Sequence, residues 1–162
     1  MISFVIRPLT LHDADQAYAL LRDSFSMPGE YQDMLDNLAN PITRALGLFD
    51  GETMIGYGAF WLLMEEAHVT HVAIHKNMRR QGLGNKMMAA LIQHASDCGA
   101  RFMELECRRG NEAALSMYHK LGFLRVGFKK NYYPDTNEDA VVLALISLPA
   151  PNEENDPFLT QE

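Results

Sequence analysis

The chain has 162 residues, 48% of them hydrophobic and 22% charged, with a formal net charge of −7. That length is enough for one domain with a real core, and the composition argues against a disordered or fibrous protein. Four of the excess negative charges, Glu153, Glu154, Asp156 and Glu162, lie in the last fourteen residues, so the body is only mildly acidic; this disfavours nucleic-acid binding and suits a basic peptide or amine as substrate.

The longest fully apolar run, Ala59 to Met64, is far too short to span a bilayer. The N-terminus lacks the basic leader and apolar core of a secretory signal. Two cysteines, Cys98 and Cys107, with no CxxC or Cys/His cluster predict neither a disulfide framework nor a metal site, and a cytoplasmic location is expected.

Phe4 and Ile6 begin a short strand that stops near Pro8. Thr10 reads as a helix N-cap with Asp13 three residues on, and Leu11, Ala14, Ala17, Tyr18, Leu21 and Phe25 share one helical face as far as Pro28-Gly29. A second short helix, about Tyr31 to Leu38, ends before Asn40-Pro41. Leu46, Leu48 and Phe49 then read as a strand, Asp50-Gly51 as a hairpin turn, and Met54 to Met64 as a long strand that Glu65-Glu66 turns back.

The stretch from Thr70 to Met88 is the most informative. Val72, Ala73 and Ile74 form an apolar strand that leads through Arg79, Arg80, Gln81, Gly82, Leu83 and Gly84 into a helix whose first residues include Asn85. Backbone N–H groups of the helix's first turn would point out of this loop with the positive end of the dipole, and the two arginines add charge, so the loop suits a phosphate. It is not a Walker motif, because Asn85-Lys86-Met87 follows Gly84, and the third glycine of a dinucleotide fingerprint is missing at Met87. A plain turn with two solvated arginines is the alternative.

Met87, Met88, Leu91, Ile92 and Ala95 continue the helix, with Gly99 placed for a left-handed C-cap. Arg101 to Arg108 alternates as a strand. Asn111 caps a further helix bearing Ala114, Leu115, Tyr118 and Leu121, which Gly122 ends with Phe123 packing back. Strands around Leu124 to Phe128 and Ala140 to Leu148 flank a polar loop, Lys129 to Asp139. The expected fold is α/β (α+β), a central mixed, mostly antiparallel sheet of about seven strands flanked by about four helices. Residues 1–148 are expected to form a single domain, and the acidic residues 149–162 a disordered tail.

RRQGLG together with NEAALSMYHKLGF, in this order of elements, resembles the GNAT superfamily of N-acetyltransferases across nearly all of residues 1–148. ELECRRGNEAALSMYHKLGF followed by KKNYYPDTNEDAVVLAL is most similar to the bacterial ribosomal-protein-alanine N-acetyltransferases of the RimI type. The resemblance implies an acetyl-CoA enzyme, without a metal, whose pyrophosphate is held by Arg79, Arg80, Gln81, Gly82, Leu83, Gly84 and Asn85. It also implies that Val72, Ala73 and Ile74 hold the pantetheine arm, that Asn111 and Tyr118 contact the cofactor, that Glu106 is the general base, and that Tyr118 protonates the departing thiolate.

The residues themselves leave alternatives beside these roles. Glu104 and Glu106 share a strand face, where two like charges would raise one pKa, but both could simply alternate outward. Tyr118 could be a core tyrosine, and His71 or Glu104 could assist proton removal. Tyr132 and Tyr133, in a loop similar to the peptide-binding loop of N-terminal acetyltransferases, would wall a substrate slot beside Glu104, or form an ordinary turn.

The expected acceptor is a protein N-terminus, such as an alanine-starting ribosomal protein with a basic first segment, taken by a monomer or dimer with no nucleic acid or membrane involved. Two other readings compete: acetylation of a small amine such as a polyamine or antibiotic, and an acyl-CoA-binding module without turnover.

Overall fold

The computed structural model describes residues 3–152, so the acidic end from residue 153 lies outside the described residues. The elements run β1 (Phe4–Pro8), α1 (Ala14–Ser24), α2 (Tyr31–Ala39), β2 (Thr43–Asp50), β3 (Thr53–Leu63), β4 (Glu66–Ile74), α3 (Leu83–Asp97), β5 (Phe102–Arg108), α4 (Glu112–Lys120), β6 (Leu124–Tyr133) and β7 (Glu138–Leu145). The seven strands are ordered β1-β2-β3-β4-β5-β7-β6. β4 pairs with β5 in parallel, while β1 with β2, β2 with β3, β5 with β7 and β6 with β7 are antiparallel. This is the mixed, mostly antiparallel sheet with four helices that the sequence predicts.

The chain forms two compact units. Of the described residues, one takes in those up to Trp61 together with Val69–Leu91; the other takes in Leu62–His68 and those from Ile92 to residue 152.

In the first unit, the predicted Thr10 cap is a full capping box, set on a short 3-10 turn, Leu11–Asp13, that leads into α1. Thr10 Oγ1 accepts from His12 N–H, and Asp13 Oδ2 accepts from Thr10 N–H at 2.9 Å. The same Asp13 carboxylate also receives both ends of the Arg7 guanidinium, at 2.9 and 3.0 Å, so one side chain ties β1 to the beginning of α1. β2 and β3 bury consecutive residues rather than every second one, as strands covered on both faces do. A core of Ala17, Leu20, Leu21, Met34, Phe49 and Tyr57 results. A Cβ on Gly58 would lie 2.8 Å from Leu91 Cδ1 and 2.9 Å from Met87 Sδ, so the missing side chain lets α3 lie close against β3. The reversal between β3 and β4 falls at Met64-Glu65 rather than Glu65-Glu66, with Met64 at φ 54° and Glu66 already within the strand.

In the second unit, the parallel ladder matches Glu66, Ala67 and His68 to Phe102, Met103 and Glu104. Along β5 the period of two is strict: Met103, Leu105 and Cys107 are buried, while Glu104, Glu106 and Arg108 project from the other face. α4 ends as expected. Gly122 has φ +99°, its N–H donates to His119 O, and Phe123 N–H donates to Tyr118 O, which is the Schellman pattern with Phe123 fully buried.

One predicted loop is largely strand. β6 runs on to Tyr133 and β7 begins at Glu138, leaving 134–137 as the turn. The extension tolerates a bulge between Lys129 and Tyr133, where Asn131 takes φ 51° and its N–H donates to Asp139 Oδ1 at 2.8 Å. A side-chain acceptor thus replaces the interrupted ladder, a substitution that polar composition does not distinguish from a loop.

Candidate active site

The first unit carries the glycine loop. Gly82 sits at φ +76° with nothing within 4 Å of where a Cβ would be, so an approaching ligand meets bare backbone there. Leu83 is buried and anchors the first turn of α3. The amides of Leu83, Gly84 and Asn85 precede the first bond of the helix ladder, which runs from Lys86 N–H to Gly82 O at 3.1 Å. Arg80 and Gln81 are exposed, and Arg80 adopts φ 64°, so the turn is left-handed at two positions. Arg79 is engaged within the fold: its Nε donates to Ile74 O at 2.9 Å and its guanidinium reaches Ser24 Oγ at 3.5 Å. It braces the loop against the end of β4. Val72 is half-buried and Ala73 and Ile74 are buried in β4, beyond the last rung of the ladder at His68.

The second unit carries the titratable groups. Glu106 is only 8% exposed in its side chain, and both of its oxygens are taken: Oε2 lies 2.8 Å from His68 Nε2 and Oε1 accepts from Lys129 Nζ at 2.7 Å. Burial by itself would push this carboxyl up, but the hydrogen bonds and charges of His68 and Lys129 outweigh it and hold Glu106 down at about 2. The rise expected from two like charges on one strand face is therefore corrected. The partners, His68 from β4 and Lys129 from β6, decide the sign.

His68 responds in the opposite sense. Its hydrogen bond to Glu106 raises it above the usual imidazole range, burial works against that, and the charges of Glu106 and Glu104 add to the rise while Lys129 subtracts. A ring nitrogen of His68 and carboxylate oxygens of Glu66 and Glu104 lie within 4.8 Å of one another. His71, in the first unit, is different. Burial lowers it, its ring meets Phe25 edge-on at 5.3 Å, and its Nδ1 has no hydrogen-bond partner among the described residues.

Tyr118 is buried on α4, its ring edge-on to Phe123 at 5.5 Å. Burial chiefly, with Cys107 and Tyr133 contributing, raises its phenol well above the usual value, so it holds its proton throughout the neutral range. Asn111 spends its Oδ1 on the cap of α4, accepting from Ala114 N–H at 3.2 Å, and the residue is exposed. Burial likewise pushes the Cys107 thiol up to about 11, which makes it inert as a nucleophile.

Tyr132 and Tyr133 stand edge to face at 5.0 Å, near the end of β6. Arg108 lies over the Tyr133 ring at 4.0 Å, and its guanidinium forks onto Asp135 at 2.9 and 3.1 Å, with Thr136 and Glu138 also in reach. Lys129 Nζ lies 5.1 Å from the Tyr132 ring. The sequence reading placed Glu104, Glu106, Tyr118, Tyr132 and Tyr133 in one functional group, and the second unit contains them all. It overlooked His68 and the bracing role of Arg108, because each acts through a residue distant in sequence.

A mixed sheet with a glycine loop opening the helix after β4 is the acetyltransferase architecture. The chain belongs to the acetyltransferase (GNAT) family, which matches residues 13–123, and it is an N-acetyltransferase. It is similar to a Bacillus subtilis (strain 168) protein provisionally named a ribosomal protein bS18-alanine N-acetyltransferase, 31% identical over 142 residues, 85% of this chain and 92% of that one. The crystal structure of the ribosomal-protein-S18-alanine N-acetyltransferase from Escherichia coli superposes with a TM-score of 0.84 at 28% identity, covering 93% of this chain and 98% of that one. Arabidopsis thaliana NAA60, solved in complex with acetyl-CoA, shares the fold at 13% identity with a TM-score of 0.80, over 88% of this chain and 98% of that one. Among the described residues no helix is long and apolar enough to cross a membrane.

Proposed function

We propose that this enzyme moves the acetyl group of acetyl-CoA onto the α-amino group of a protein N-terminus, with an alanine-starting ribosomal protein as the acceptor class. The observation that carries this reading is the primary ammonium already seated on Glu106: Lys129 Nζ, 2.7 Å from Oε1. A substrate's α-ammonium has the same chemistry and can take that place, with Tyr132 and Tyr133 beside it as rigid walls for an extended peptide. Similarity to proteins named for bS18 alanine acetylation supports the acceptor.

In this reading the amides of Leu83, Gly84 and Asn85 and the exposed Arg80 and Gln81 hold the cofactor's pyrophosphate, with Arg79 bracing their loop. Val72, Ala73 and Ile74 receive the pantetheine arm as an added strand would, and a main-chain N–H among them faces the developing oxyanion. Asn111, at the start of α4, contacts the cofactor. Glu106 supplies the carboxylate of the base, Glu104 faces the acceptor, and Tyr118 protonates the CoA thiolate. Residues up to 148 act as one catalytic domain.

Thiol release from acetyl-CoA, compared between an alanine-starting basic peptide and spermidine, tests the reading. Faster release with the peptide is expected. Preference for spermidine would make this a small-amine enzyme, and tight CoA binding without release for any amine would reduce it to an acyl-CoA-binding module.

A further inference from the structure

A carboxylate held down by hydrogen bonds from its neighbours is a poor resting place for an ammonium proton. Some other group must hold the proton once it leaves the nitrogen. Beside Glu106 the structure offers one: His68, half-exposed on β4, with Nε2 against Glu106 Oε2 at 2.8 Å.

We propose that His68 accepts the amine's proton, through Nδ1 and one bridging water, and that Glu106 is the positioning residue that fixes its ring. A carboxylate on Nε2 selects the tautomer with hydrogen there, and so leaves the lone pair on Nδ1. The groups facing His68 are Glu106 and Glu104 on β5, Glu66 on its own strand, and Lys129 on β6. Three carboxylates against one ammonium favour the imidazolium once it forms. His71, packed edge-on against Phe25 and shifted downward by burial, has the wrong surroundings for this task.

The inference rests on the acetyl-transfer reading, and the protons balance within it. The ammonium gives one proton to His68, the neutral nitrogen attacks the thioester carbon, and the C–S bond breaks as Tyr118 protonates the sulfur. The nitrogen's second proton replaces the one Tyr118 gave, and His68 releases its own to water. The sum is ammonium and acetyl thioester to amide, thiol and one proton.

The test is the pH profile of kcat, with acetyl-CoA and an alanine-starting peptide, for the full chain, His68→Gln and Glu106→Gln. Gln at 68 keeps an amide donor for Glu106 but cannot take a proton. The unsubstituted enzyme should gain rate as one group deprotonates. His68→Gln should lose that step and about a hundredfold or more in rate, with the acetyl-CoA KM unchanged. Glu106→Gln should keep the step but move it to lower pH.

An unchanged step in His68→Gln, or its loss in Glu106→Gln alone, overturns the inference. Should His68→Gln fail to fold, the NMR titration of the His68 ring in the unsubstituted protein decides: its midpoint must coincide with the kinetic step, and a mismatch of a unit or more overturns the assignment. Turnover without a histidine step sinks only this inference, whereas no turnover with any amine sinks the acetyl-transfer reading and this with it.

Discussion

Lys129 closes the second oxygen of Glu106, Nζ to Oε1 at 2.7 Å, so the carboxylate stands between Lys129 of β6 and His68 of β4. A carboxyl held down at about 2 stabilises the folded state fully above its ordinary range near 4.5, and that contribution is lost as the pH falls toward 2. Lys129→Met removes the ammonium from that pair, so Glu106 should protonate at higher pH. Melting temperatures measured by circular dichroism between pH 2 and 7 should therefore show Lys129→Met less stable than the unsubstituted protein near neutral pH, with a smaller acid decline that levels off at higher pH, so that the two curves converge toward pH 2. Superimposable acid limbs would mean that the ion pair does not form in solution.

Gly82 separates cofactor binding from stability. Its Cβ would meet nothing within 4 Å, so Gly82→Val costs the fold only the strain of a left-handed backbone at φ +76°, about 1–2 kcal/mol. A ligand pressed against that backbone would meet the new side chain directly. Calorimetry with CoA should show at least a tenfold loss of affinity beside a small drop in melting temperature, and unchanged affinity would contradict the loop's assignment to pyrophosphate.

What could be read from the sequence was whatever contiguous residues decide among themselves. The Thr10–Asp13 capping box, the left-handed Gly122 with Phe123 behind it, and the turn from β4 into α3 each need only a few neighbouring side chains, and each is present. The ionisation of Glu106 was different. Its two partners, His68 and Lys129, lie 38 and 23 residues away, and they reach it only because β4 pairs in parallel with β5 while β6 lies beyond β7. Strand alternation showed that Glu104 and Glu106 share a face, but not what faces them, so the direction of the shift came out reversed. The extent of β6 escaped for a related reason: the bulge at Asn131 is satisfied by the distant Asp139.

Arg108 organises the turn after the tyrosines. It forks onto Asp135, reaches Glu138, and lies flat over Tyr133. Arg108→Ala would release all three at once, whereas Arg108→Lys keeps the charge but loses the planar fork. Both substitutions should raise the KM for an alanine-starting peptide, Ala by about tenfold and Lys by less, while the acetyl-CoA KM stays put. A rise confined to acetyl-CoA would place the turn on the cofactor side of the reaction.

Tyr118→Phe isolates one hydroxyl. The ring's edge contact with Phe123 survives the change, and the residue stays buried at the end of α4, so melting should move little. Because burial lifts the phenol far above neutrality, its proton is available for donation across the whole working range, and no alkaline loss of rate should arise from it below about pH 10. Removing that proton should cost about two orders of magnitude in kcat with ordinary acetyl-CoA. The cost should shrink with an acyl donor whose thiol is more acidic, because its thiolate departs without help. Equal losses with both donors would show that Tyr118 positions the thioester rather than protonating the sulfur.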